Sequence, residues 1–205
     1  QGSTPFTNLQ LFVDFFFVLS GFVICHAYAS RLDGGASAVG FMIRRFGRVW
    51  PLHAAVLFGF VALELLKLVL DRGLQLPLDG APFTGNHSPV TLVSNLALTQ
   101  AFNLHGMTTW NGPAWSIGVE FYTYAVFALV VTALRARALD YAALAAIGLA
   151  GVAFLSPSWL FTTHDFGFFR CLYGFFTGAL AMLAVARTRS AQRLGTWTEA
   201  TALAL

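Results

Sequence analysis

Of 205 residues, 57% are hydrophobic and 10% charged, with 21 phenylalanines among them, whereas an ordinary soluble domain is about 25% charged. So large an apolar load excludes a soluble globule and points to an all-α fold, a polytopic transmembrane helix bundle forming one domain in the lipid bilayer. A net charge of +3 with no basic stripe outside the loops excludes nucleic acid as a partner.

Residues 1–8 read as a polar lead with Pro5 and Asn8, followed by a first span over 9–29, LQLFVDFFFVLSGFVICHAY and its last residue. Asp14 sits near the start of that span, where a helix N-terminus tolerates a carboxylate, and Ser20-Gly21 at its middle let a neighbouring helix approach closely. Arg31 to Gly40 is a loop, residues 41–50 a short interfacial helix, and Pro51 opens a second span that runs to Leu70. The stretch FMIRRFGRVWPLH, residues 41–53, is thus a cationic hinge between two hydrophobic spans. Arg44 and Arg48, four apart, share a helical face, and Arg45 flanks them. Such a cluster either holds phosphate groups, whose oxygens match guanidinium forks, or anchors the hinge to anionic lipid.

Further on, Glu64 and Lys67 are spaced to pair with each other. Residues 71–90, with Pro77, Pro82 and Pro89, form a loop. Residues 91–105 are interrupted by Asn95, Gln100 and Asn103 and read as a half-membrane or surface helix, with a full crossing as the rival. Three more spans follow over 111–134, 138–155 and 166–186. Arginines fall between spans at 31 and 44–48, at 135–137 and at 187–193; if all three connections are cytoplasmic, the spans alternate consistently only when 91–105 does not cross, and the location expected is the cell (inner) membrane. Cys25 and Cys171 lie in apolar runs, so buried thiols are expected rather than a disulfide or zinc ligands.

Ionisable groups inside spans cost about 2.5–3.5 kcal/mol each on insertion scales, so each needs a reason. Glu120, about ten residues into its span, could serve as a general base, as a carboxylate orienting a histidine, as the partner of a buried arginine, or as a hydrogen bond within the bundle. Arg170, a turn into the last complete span, either meets a ligand or Glu120 or snorkels to the interface. His26 and His53 lie near the arginines, and His87, His105 and His164 fall in outer loops. No HExxH, GxSxG or P-loop pattern occurs, and no metal is called for.

Taken together, VDFFFVLSGFVICHAY at 13–28, RRFGRVWPLH at 44–53 and PAWSIGVEFYTY at 113–124, followed by Arg170, Phe175 and Gly178, resemble the membrane-bound acyltransferase 3 family in motif and order. The resemblance covers nearly the whole chain. It implies an O-acyltransferase that moves an acyl group, usually acetyl, from acyl-CoA to a hydroxyl of a carbohydrate acceptor or cell-surface glycan. On matching positions it implies that Arg44, Arg45 and Arg48, with Arg170, bind the cofactor and that Glu120 is catalytic. Asp14, Ser20, Gly21, Trp115 and Ser116 would support the site. The family's base histidine belongs to a first helix that this sequence, starting at Gln1 and stopping within TWTEATALAL, does not reach. It therefore reads as a piece of a longer protein, lacking that helix and later ones and inactive alone. A multi-pass transporter of a sugar or lipid-linked glycan is the alternative, although no two similar halves stand out.

Overall fold

A computed structural model describes residues 5–75, 80–135 and 137–202. Part of the expected polar lead (1–4) and part of the proline-rich loop (76–79, with Pro77) lie outside the described residues. The elements are α1 (Pro5–Tyr28), α2 (Gly35–Leu74), α3 (Pro89–Leu96), α4 (Trp115–Leu134), α5 (Ala138–Leu155) and α6 (Gly167–Ala202), with no strand among the described residues. All but α3 carry a stretch long and apolar enough to cross a bilayer, so the chain is a multi-pass membrane protein. Helices α1 and α4 run the same way, Asp14 and Trp115 both meeting Arg170 and Ser20 meeting Tyr124 further on, so that Arg31, Arg135 and Arg137, which follow them, fall at one end of the bundle.

The structure departs from expectation at α2. The interfacial helix over 41–50 and the span opening at Pro51 are one 40-residue helix with Pro51 inside it. Proline there removes one intrahelical bond, yet membrane helices tolerate the loss where neighbours fix the backbone. Both flanks of Pro51 are fixed: Trp50 Nε1 donates to the Leu96 carbonyl at 3.0 Å, and His53 Nε2 reaches the Asn95 carbonyl at 2.9 Å. The last span also runs on, since residues 187–193 continue α6 as helix instead of forming a loop.

Residues 91–105 do not cross. At eight residues α3 is about 12 Å long, less than half the hydrocarbon thickness. Ser88 caps its start, Pro89 occupies its first turn, and an irregular stretch leads from it to α4. Its polar residues lock it in place: Asn95 Nδ2 donates to the Thr91 carbonyl and to Thr109 Oγ1, each at 2.7 Å, and Gln100 Nε2 donates to the Ala114 carbonyl at 3.0 Å.

Helix α6 packs against α1, α4 and α5, while α2 leans on α4. The α1–α6 crossing is tight because glycines face backbone. A Cβ on Gly178 would stand 1.9 Å from the Val18 carbonyl oxygen, and one on Gly21 would stand 1.8 Å from that of Phe175. Phe41, Tyr124, Phe127, Tyr141, Phe175 and Phe176 fill the core between helices. Cys25 and Cys171 are both free and buried.

Candidate functional site

A cavity of about 600 Å³ opens between α1, α2 and α4. Its polar lining comes from Ser20 on α1, Arg45, Arg48 and His53 on α2, Glu120 and Tyr124 on α4, and Asn111 just ahead of α4. Phe16, Leu19, Val23, Leu52 and Val56 supply apolar wall. The arginine hinge and the embedded carboxylate, 72 positions apart from Arg48 to Glu120, therefore share one space.

Glu120 is buried and held by its own helix. Tyr124, one turn on and so on the same face, donates its hydroxyl to Glu120 Oε1 at 2.5 Å. That leaves Ser20 Oγ, 3.0 Å from the Tyr124 oxygen, as the donor in the second bond. A chain of donors from α1 to α4 thus points at the carboxylate. The sequence assigns roles to Ser20 and Glu120 and shows Tyr124 on the same helix without a role, although its spacing of four from Glu120 is the signal.

The three hinge arginines fare differently. The Arg45 guanidinium lies over the rings of Tyr28, Phe41 and Tyr124, 4.9, 5.4 and 5.8 Å from their centroids, and its buried Nε has no hydrogen-bond partner among the described residues. Arg48 lines the cavity and is exposed. Arg44 is exposed, 5.9 Å from the Tyr28 centroid, beside the cavity instead of on its wall. Among the described residues no carboxylate forms an ion pair with any of the three.

Arg170 stands apart from that cluster. Almost fully buried, it makes a bidentate pair with Asp14, Nε to Oδ1 at 2.6 Å and Nη2 to Oδ2 at 2.9 Å, and donates from Nη1 to the Thr162 carbonyl at 3.1 Å. Its guanidinium also lies 5.6 Å from the centroid of Trp115, which packs edge-on against Phe17. Asp14, Arg170 and Trp115 accordingly tie α1, α6 and α4 together at the end where α4 begins, and none of them lines the cavity. Ser116 donates to the Pro113 carbonyl at 3.2 Å, while Gly21 serves the α1–α6 crossing. Glu64 pairs with Lys67 at 2.7 Å and, beyond expectation, with His87 at 2.9 Å. His26 is exposed. Among the described residues no group of three His, Cys, Asp or Glu side chains is placed to hold a metal.

Comparison with known proteins decides the family. The acyltransferase 3 family, described as an acyltransferase domain, matches residues 1–205. The chain belongs to that family. It is also similar to a Rhizobium radiobacter protein described as "Protein 2 in picA locus", 36% identical over 124 residues that cover 58% of this chain and 64% of the relative. The match thus spans less than two thirds of that relative's length. No solved structure matches the chain.

Proposed function

We propose that this acyltransferase moves an acyl group, acetyl in the simplest case, from acyl-CoA to a hydroxyl of a carbohydrate at the cell membrane. The observation that carries the reading is the shared cavity, lined by Arg45, Arg48 and Glu120, with no carboxylate ion-paired to either arginine among the described residues. Guanidinium forks suit the phosphates of coenzyme A and stay charged in almost any surroundings. About 600 Å³ is ordinary for a small-molecule site and accommodates the pantetheine arm and thioester. The nucleotide end of the cofactor then stays at the mouth, beside the exposed Arg44 and Arg48.

Arginines mark the cytoplasmic end of the bundle, so the donor enters from the cytoplasm and its thioester reaches mid-membrane. There the acceptor hydroxyl loses its proton to a base and its oxygen attacks the thioester carbonyl, expelling the coenzyme A thiolate. Glu120, fixed by Tyr124, stabilises the positive charge that develops on that base, a histidine which the family places on a helix ahead of this segment. A low-polarity wall strengthens the interaction. Arg170 is left outside the cofactor site in this reading, because Asp14 already neutralises it.

The test is acetyl-CoA binding to the purified full-length protein. Replacing Arg45 and Arg48 together by Ala should weaken affinity by about tenfold or more, the size of a charge-assisted hydrogen bond. Glu120→Gln should bind acetyl-CoA normally yet fail to transfer labelled acetyl. Unchanged affinity in the arginine variant would remove the assigned cofactor site. The family match favours this reading over transport, and flux of a glycan without acyl transfer would reverse that choice.

A further inference from the structure

His53 lies eight residues beyond Arg45 on α2, about 12 Å along the helix toward the end at which Asn111 meets the cavity. It forms part of the cavity wall and is 2% exposed. Its two nitrogens are used unequally. Nε2 is 2.9 Å from the Asn95 carbonyl oxygen, which can only accept, so Nε2 carries the hydrogen. In the neutral ring Nδ1 is then left with a lone pair, and among the described residues it has no partner. Buried polar atoms are nearly always satisfied, so an orphaned acceptor on a residue of the cavity wall marks where a donor hydrogen arrives, once neighbouring side chains shift enough to uncover the closed Nδ1.

We propose that His53 Nδ1 accepts a hydrogen bond from a hydroxyl of the acceptor, making His53 a residue that binds and orients the acceptor in the half of the cavity away from the arginines. The proposal rests on the acyl-transfer reading above. Coenzyme A is a poor candidate for this contact. Its donors are the amide N–H groups and hydroxyl of the pantetheine arm, between phosphates and thioester, and the hydroxyl and amino groups of the nucleotide, all on the arginine side of the thioester, which itself has no hydrogen to give. A polyhydroxyl acceptor does. Asn111, on the same wall, offers a carboxamide that both donates and accepts. It is held there by Trp110, which sits in the left-handed region at φ 50° because its backbone N–H is bound to the Asn86 carbonyl at 3.2 Å and its Nε1 to Thr91 Oγ1 at 3.0 Å.

Two substitutions separate this role from mere anchoring of α3. His53→Gln can place an amide N–H where Nε2 is, keeping the bond to Asn95 while removing the acceptor at Nδ1. His53→Asn does the reverse, placing an oxygen near Nδ1 and losing the bond to Asn95. Full-length protein in nanodiscs is given labelled acetyl-CoA with methyl glucoside, galactoside or mannoside as acceptor, and water as the minimal one, while acetyl-CoA affinity is measured separately. H53Q should raise the glycoside KM by about three- to tenfold, the size of one neutral hydrogen bond, with acetyl-CoA affinity unchanged. H53N should stay closer to wild type in that KM, and Asn111→Ala should raise it as H53Q does. If H53Q matches wild type and H53N is the impaired variant, His53 only anchors α3 and the proposal falls. Wild type that binds acetyl-CoA but acetylates neither glycoside nor water would overturn it while leaving the arginine site standing. Absence of acetyl-CoA binding would remove the underlying reading and this one with it.

Discussion

Tyr124→Phe removes one oxygen while leaving the ring between Phe41 and Phe175, whose centroids lie 6.1 and 5.8 Å from its own. That oxygen gives Glu120 its 2.5 Å bond and receives the one from Ser20 at 3.0 Å. Glu120 is only 5% exposed, so water does not readily replace the lost donor. A hydrogen bond to a charged group contributes about 1.5–3 kcal/mol. If that bond is at full strength only when charge develops at the reacting centre, kcat should fall by about 10- to 150-fold, each tenfold being about 1.36 kcal/mol. Acetyl-CoA affinity should hold, because the aromatic face under Arg45 survives. Initial rates of labelled acetyl transfer in nanodiscs, alongside equilibrium binding of acetyl-CoA, measure the two separately. Ser20→Ala, which acts on the carboxylate through the Tyr124 oxygen, should cost less alone and almost nothing further in the Y124F background. Wild-type kcat in Y124F would refute the placement of Glu120 at the reacting centre, and equal losses in binding and thermal stability would reduce Tyr124 to packing.

Arg170→Met should destabilise the bundle by about 3 kcal/mol, the low end for a broken buried pair because the Asp14 side chain is 33% exposed, with a lowered unfolding temperature as the readout. Adding Asp14→Asn should then cost little more. Gly178→Ala requires α1 and α6 to part by about 1.5 Å, from 1.9 Å to ordinary contact, and should cost about 1–3 kcal/mol in the same assay. Asp165, in the loop before α6, is pushed upward by burial, but the Thr162 hydroxyl and the backbone N–H groups of Phe166, Asp165 and Thr163 outweigh that and hold its carboxyl below the usual value. A depressed folded pKa stabilises above the unfolded value of about 3.9 and loses that stabilisation as pH falls through the folded one. Asp165→Asn should therefore unfold at lower temperature than wild type at pH 7, with the gap constant to about pH 5 and closing below pH 4.

The five crossing helices were legible because hydropathy is a local property, summed over about 20 residues without knowledge of neighbours. What a polar residue does inside them was not, because that depends on partners far away in sequence. Asp14 and Arg170 each looked anomalous in isolation, yet their pairing spans 156 positions and nothing local announces it. The continuity of α2 failed to show for the same reason: Pro51 is a sound local signal for a helix start, and what overrides it is Trp50 and His53 bonding to carbonyls on α3. Those carbonyls in turn explain why residues 91–105 are too polar to cross. Asn95 and Gln100 side chains fix α3 and its tail in place while its backbone carbonyls bond to Trp50 and His53 on either side of Pro51. One set of bonds thus keeps α2 continuous past its proline, fixes the His53 tautomer and places Arg45, Arg48 and His53 along a single cavity. Weakening α3 should on this view disturb the cavity before it disturbs the bundle, since the packing of α6 on α1, α4 and α5 does not involve it.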